Sequence, residues 1–338
     1  MTARAPAVPT ASVERAPRSA GPDQLKALLL VLVVFGHAYM VPLGEDVTRY
    51  LIYSVHMPLF LFLSGYLLRA ESLRRRSFGG LLAHYWWRML LAWLAISVLW
   101  RLTQQPQRGW SWSGLVGDLV LEPAFHLWYI PVLMLAIVVA WLAARTPWPG
   151  MVLGQAAVAA YVGTLVADSI LGDLPFDKRF TLYFCYFAFG MMVRNGWARV
   201  LPPWWALGAV VAGLAMRLAV FEGVSVLNQP SRLVLALGAL SLVPVVLRWL
   251  ERPIPVIGPS LERIGVFSLW VYLLHPFLVF GTLAPDELRP RDPWFSLAVT
   301  IGVMVLAALL TWAWERAIAA IGARRRSRQL ETVAAPHA

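Results

Sequence analysis

Residues 23–39 read Asp23-Gln24-Leu25-Lys26-Ala27-Leu28-Leu29-Leu30-Val31-Leu32-Val33-Val34-Phe35-Gly36-His37-Ala38-Tyr39. The stretch is an apolar helix with a cation near one end and a histidine eleven positions later. At about 100° per residue, eleven steps turn through about 1100°, about 20° past three full turns, and climb roughly 16 Å. Lys26 and His37 therefore share one face. If the helix crosses a bilayer, Lys26 lies at a membrane surface and His37 near mid-bilayer. An ionisable side chain at that depth is expensive and marks a functional site unless it only satisfies neighbouring backbone.

The rest of the chain supports the bilayer. Of 338 residues, 59% are hydrophobic and 14% charged, and the mean hydropathy is +0.64. A soluble domain does not need that much apolar sequence, whereas repeated runs near 20 residues are what a membrane demands. Ten such stretches occur, at about 25–43, 51–69, 82–101, 126–144, 150–168, 180–194, 203–221, 231–248, 264–283 and 294–315. The expected fold is all-α: a polytopic membrane protein of about ten transmembrane helices, with amino and carboxyl termini cytoplasmic. Placing the amino terminus inside puts twenty of the 29 Lys and Arg on the cytoplasmic side, with seven of the 18 acids. That is the positive-inside pattern, and it accounts for the net charge of +11 without nucleic acid. Residues 1–22, rich in Ala, Pro and Arg, read as a disordered cytoplasmic tail. Residues 23–316 form the membrane domain, and 317–338 a basic cytoplasmic tail. Trp110, Trp112, Leu115, Val116, Leu119 and Val120 give the connection between the third and fourth stretches a helical stripe, predicting an amphipathic surface helix. The single cysteine, Cys185, offers neither a disulfide framework nor a thiolate metal site, and no metal is expected.

Five of the six histidines lie in or beside apolar stretches: His37, His56, His84, His126 and His275. His37 and His275 stand roughly 18 Å above the inner ends of their helices, and His56 roughly 8 Å below the outer end of its own. The three fall at similar heights, which predicts a shared polar cavity. His56 and His275 precede Pro58 and Pro276 closely, so the alternative is that they satisfy backbone loosened by proline. On the inner side, Lys26, Arg88 and the Arg74-Arg75-Arg76 loop form a cationic mouth. A histidine can take a proton from a hydroxyl near neutral pH. Cations roughly 16 Å below it suit a ligand with phosphates at the surface and a long arm reaching inward. Coenzyme A has that form.

These motifs resemble the acyltransferase-3 family of integral membrane O-acyltransferases. Its leading motif, a basic residue and a histidine with ten residues between them, is matched by Lys26 and His37. The second-span motif is matched by Ser54-Val55-His56-Met57-Pro58-Leu59-Phe60-Leu61-Phe62-Leu63-Ser64-Gly65-Tyr66. Further matches are Phe125-His126-Leu127-Trp128-Tyr129-Ile130-Pro131 and Ser268-Leu269-Trp270-Val271-Tyr272-Leu273-Leu274-His275-Pro276. The similarity looks closest to the short, fucose O-acetylase-like members. The resemblance implies a multi-pass protein of the cell (plasma or inner) membrane. It would take acyl-CoA, acetyl-CoA above all, from the cytoplasm and acylate a hydroxyl of a glycan or glycolipid at the outer face. His37 carries over as catalytic, with His56 beside it, and Lys26 as the motif partner of His37. Arg88 matches a basic position opening the third span, although the companion basic residue three before it is Tyr85 and the usual proline four after it is Ala92. Arg74, Arg75 and Arg76 correspond more loosely to a basic donor loop. His126, Trp128, Tyr129 and His275 are the acceptor-binding candidates, and a homo-oligomer is compatible with the reading. The competing class is a proton-coupled transporter or flippase using the histidines as a relay. Such proteins often carry two similar halves, and no internal repeat is visible here.

Overall fold

The computed structural model describes residues 19–104, 111–121, 123, 126–172, 174–252, 254–255, 257–280 and 292–334, and among the described residues the regular structure is all helix, without strands. Of the expected amino-terminal tail, residues 1–18 lie outside the described set, as do 335–338 at the other end. Each of the ten apolar stretches lies mainly in helix, although 180–194 and 264–283 each cover two helices and residues 281–283 of the latter lie outside the described residues. We label these α1 (Gly21–Ala38), α2 (Val47–Tyr66), α4 (Tyr129–Ala143), α5 (Pro149–Leu171), α6 (Phe184–Arg194), α7 (Pro203–Phe221) and α8 (Asn228–Leu250). The set is completed by α3 (Phe78–Thr103), α9 (Gly258–Val266), α10 (Ser268–Phe280) and α11 (Pro293–Ala334). Five helices are long and apolar enough to cross a membrane by themselves: α3, α5, α7, α8 with its leading turn, and the first part of α11. A sixth span results if α9 and α10, bent by 86° at Phe267, are counted as one. Neither α1 nor α2 is among them, and the cause is chemical: Asp23, Gln24, Lys26 and His37 in one, and Arg49 and His56 in the other, dilute the apolar run.

Local rules explain the ends of these two helices. Pro22 and Asp23 occupy the first turn of α1, where a missing N–H and a negative charge are both favourable. Asp46 caps α2 by accepting from the Arg49 N–H at 2.8 Å. The Arg49 side chain then turns back and donates from Nε to the Gly36 carbonyl at 3.1 Å and from its guanidinium to the Val41 carbonyl. A cation on orphan carbonyls at a helix carboxyl end is a favourable pairing. It ties the α1–α2 turn shut directly beside His37.

Small residues let the inner helices touch backbone to backbone. Gly65 of α2 lies against the Phe187 carbonyl of α6, and Gly190 of α6 lies against the Phe62 carbonyl of α2. Gly265 of α9 meets the backbone of Asp23, and a Cβ on Gly21 would come within 2.8 Å of the Leu247 carbonyl. Such contacts replace the hydrophobic effect as the means of holding helices together where the surroundings are lipid. α1 ends up enclosed, with twelve of its eighteen residues buried, including Asp23, Gln24 and His37. The outer helices are the reverse: α7 buries only Ala206, Gly213 and Arg217. Exposed Trp148, Trp204, Trp205 and Trp294 stand at or beside the starts of α5, α7 and α11, the positions of an interfacial belt. The connection after α3 is helical from Trp112 through Leu121, with its 105–110 portion outside the described residues. α11 continues without a break through Ala334, well past the apolar stretch that ends near 315.

Candidate active site

Four histidines converge from four segments: His37 from α1, His56 from α2, His126 from the turn entering α4, and His275 from α10. All four are buried. His37 Nδ1 and His275 Nε2 are 2.7 Å apart, with ring centroids 5.0 Å apart and planes within 8°. The His126 ring sits edge-on to both, 6.1 Å from His37 and 5.5 Å from His275. Tyr53 bridges to the fourth ring, lying 6.2 Å from His37 and 5.1 Å from His56.

The hydrogen bonds assign the protons on neutral rings. A backbone carbonyl can only accept, so His275 Nδ1, 3.1 Å from the Val271 carbonyl, carries hydrogen. Its Nε2 is then an acceptor, and His37 Nδ1 donates to it. The basic lone pair of His37 therefore lies on Nε2. His56 repeats the pattern, with Nδ1 donating to the Ile52 carbonyl at 2.6 Å. In both proline-associated histidines Nδ1 bonds the carbonyl one turn back, that of Ile52 for His56 and that of Val271 for His275. Their backbone bonds set the tautomer and aim the other nitrogen elsewhere.

Three cavities meet around this cluster. One of about 250 Å³ has Lys26 and Arg88 on an otherwise largely apolar wall of Met57, Leu63, Tyr129 and Tyr272. The second, about 130 Å³, is lined by His37, His56, His126, Tyr53, Trp128 and Arg179. Met57 and Tyr272 line both, so these two residues form the partition between them. The third, about 300 Å³, is polar and includes Tyr50, Arg217, Gln229 and Arg232. It shares Tyr53 and Tyr183 with the histidine cavity. The sequence of spaces thus runs from a cationic pocket, through imidazoles, to a second cationic pocket at the Gly44 end of the helices.

An acyltransferase domain model matches residues 19–312, which include all three cavities. The chain belongs to the acyltransferase-3 family. The matching model is described as an acyltransferase domain. The chain is also 24% identical over 301 residues to a serine/alanine racemase of Enterococcus gallinarum, covering 78% of this chain. It spans 41% of the length of that curated relative, whose name therefore describes more protein than is matched. No solved structure matches the chain.

The family's motif residues are distributed unevenly over the site. Lys26 and His37 line adjoining cavities from one face of α1. Lys26 is held at 3.0 Å by Asp23, whose carboxylate is itself buried. Arg88 reaches the first cavity from a π-helical turn, Trp86–Leu90, an irregularity that often accompanies function. Trp86 and Trp87 beside it face outward. Tyr85, standing where a second basic residue is usual, lines the same cavity. None of Arg74, Arg75 and Arg76 lines that cavity, although the Arg76 charge acts on Tyr85, which does. Arg74 donates to the Ala144 carbonyl at 2.8 Å, Arg75 pairs with Glu71, and the Arg76 carbonyl accepts from Trp141 and Arg145. Of the 126–129 motif, His126 and Trp128 join the histidine cavity. Tyr129 instead faces the Lys26 cavity and bonds Ser64 at 2.8 Å. His275 stands behind His37 as its hydrogen-bond partner. Among the described residues no group of three or more His, Cys, Asp or Glu is placed to hold a metal ion.

Sequence reading passed over Arg49, Tyr53, Arg179, Tyr272 and Arg217. Tyr272 donates to the His126 carbonyl across 146 residues, and Arg179, paired with Asp177, lies 4.7 Å over the Trp128 ring. No local pattern announces such contacts. Arg217 had a signal: it is a charge inside an apolar span, four residues before its end.

Proposed function

We propose that this acyltransferase moves an acyl group, acetyl in the simplest case, from cytoplasmic acyl-CoA to a hydroxyl of a glycan or glycolipid at the outer face of the cell membrane. The carrying observation is the position of His37, with its lone pair on Nε2, where the Lys26–Arg88 cavity adjoins the histidine cavity. Lys26 and Arg88 would hold donor phosphates, and the apolar wall beyond them suits a thin pantetheine arm. The thioester carbonyl then lies near the Met57–Tyr272 partition. The acceptor hydroxyl enters from the far side, and its oxygen attacks the carbonyl carbon while His37 Nε2 takes its proton. The C–O bond forms, the C–S bond breaks, and the thiolate recovers the proton as coenzyme A leaves. His275 fixes the orientation of His37, and His56 and His126 line the acceptor's approach.

The topology belongs to the same proposal: ten spans over residues 23–316, with both termini cytoplasmic. It is supported by the largely helical state of the described parts of these stretches and by the one-sided distribution of cations. It places the Lys26 end inside and the Gly44 end outside. The test uses purified protein in nanodiscs with radiolabelled acetyl-CoA. Loss of thioester that depends on an added hydroxyl acceptor and on His37 supports the reading. Intact acetyl-CoA, together with His37-dependent proton-coupled solute flux in vesicles, would establish the transporter instead.

A further inference from the structure

The third cavity holds a feature that acyl transfer alone does not require. Arg217 is 2% exposed, on a helix that is otherwise apolar. Its partners are all neutral: Ser54 Oγ at 3.1 Å from Nε, and Asn228 Oδ1 at 2.9 Å and Ser231 Oγ at 3.4 Å from Nη1. The guanidinium also lies 4.2 Å over the Tyr50 ring. Arg232, one turn along α8 from Asn228, donates from Nε to the same Asn228 Oδ1 at 3.3 Å. Two cations thus share one amide oxygen. Neither forms an ion pair with a described carboxylate. The nearby segment's acids are committed, Asp168 to Lys178 and Asp177 to Arg179.

A buried cation such as Arg217 ordinarily faces an anion, because desolvating a charge without a counter-charge is costly. Here both arginines line a cavity of about 300 Å³. The Tyr50 hydroxyl in its wall is buried without a hydrogen-bond partner. Three unsatisfied features converge on one space: two cations lacking a counter-charge and a buried phenol. Guanidinium groups bind carboxylate and phosphate oxygens in forked pairs, and a phenol adds one more donor. A neutral sugar hydroxyl would leave both charges uncompensated.

We infer that the third cavity is an anion subsite, taking a carboxylate or phosphate group of the acceptor between Arg217, Arg232 and the Tyr50 hydroxyl. This rests on the reading of the histidine cavity as the reaction centre, since Tyr53 and Tyr183 line both spaces. An acceptor anchored there by its anion presents a hydroxyl a few ångströms away, toward the imidazoles. The acceptor class is then a sugar acid or phosphorylated sugar unit rather than a neutral glycan.

The test measures binding without turnover. Glucuronate, glucose 6-phosphate and glucose are titrated calorimetrically into the full-length protein in nanodiscs, with no acyl-CoA present. At least one anionic probe binds about tenfold or more tighter than glucose, and the better of the two identifies the anion as carboxylate or phosphate. Arg232→Gln and Tyr50→Phe, both on partly exposed residues, weaken that probe by about ten- to a hundredfold for the arginine and less for the phenol. Arg217→Gln does the same where it folds, and Arg232→Gln decides the question where it does not. If glucose binds as well as the better of the two anions, if neither anion binds, or if Arg232→Gln leaves anion binding unchanged, the inference is overturned. Anion binding by a protein that never consumes acetyl-CoA would instead overturn the acyl-transfer reading and leave the subsite standing.

Discussion

α1 and α7 are of nearly equal length, eighteen and nineteen residues, yet they meet their surroundings in opposite ways. α7 is long and apolar enough to cross a membrane by itself, and it buries only Ala206, Gly213 and Arg217. α1 does not qualify, and two-thirds of it is buried. Hydropathy therefore reports contact with lipid rather than importance to the fold. Polar residues are tolerable inside a membrane only when protein shields them. Asp23, Gln24 and His37 are shielded by α2, α8, α9, α10 and α11. The exception on α7 makes the same point, because Arg217 is one of its three buried residues.

The contrast can be broken by substituting glycine. On Gly265 the first added carbon collides with the α1 backbone at Asp23, whereas Gly208 of α7 has nothing within 4 Å. Gly265→Leu should cost about 3 kcal/mol or more, the upper end for overpacking, and depress the yield of monodisperse protein in detergent. Gly208→Leu should stay within about 0.5 kcal/mol on a thermal melt. Comparable losses in both would mean that α7 has a hidden partner. Charge gives the next largest effect. Val211, 61% exposed near the middle of α7, should penalise membrane insertion by about 2.5–3.5 kcal/mol when changed to Lys. An unaltered insertion assay would place that face of α7 in water or protein. Lys26→Ala and Arg88→Ala should each weaken acetyl-CoA binding by about 1.5–3 kcal/mol, roughly 10- to 150-fold, by equilibrium dialysis. Arg88→Lys should recover only part of this if the contact is bidentate. The smallest effect belongs to Arg75→Ala, whose pairing with Glu71 is exposed. It should change donor affinity by no more than about twofold. A loss matching that of Arg88→Ala would move the phosphate site to the loop.

Much of this arrangement was legible in the sequence because it follows from periodicity. The eleven-residue interval puts Lys26 and His37 on one face, and in the structure they line adjoining cavities. The depths of His37 and His56, counted from helix ends, anticipate their convergence. The count for His275 assumes a straight helix from residue 264, whereas the chain bends by 86° at Phe267, so His275 reaches the cluster by another path. His126, an acceptor-binding candidate by resemblance, has no place in that count of depths, and the fold draws it into the same cluster. What periodicity does not encode is rotation of one helix against another. Tyr129 and Trp128 are adjacent in sequence yet serve different cavities. The loop arginines are closest to Arg88 in the chain, but bonds to the Ala144 carbonyl and to Glu71 engage two of them elsewhere. Arg217 could have been found by the rule that singled out His37, since both are ionisable groups within apolar spans.

The central claim is that His37 is the base of an acyl transfer conducted between two cavities. Its most direct test is the turnover of His37→Ala and His37→Gln with acetyl-CoA and a hydroxyl acceptor, beside wild type in the same nanodiscs, with donor affinity measured in parallel. A positioned general base contributes about 10²- to 10⁴-fold, so both variants should lose that much turnover while binding acetyl-CoA almost normally. Near-normal acyl transfer by His37→Ala would contradict the account.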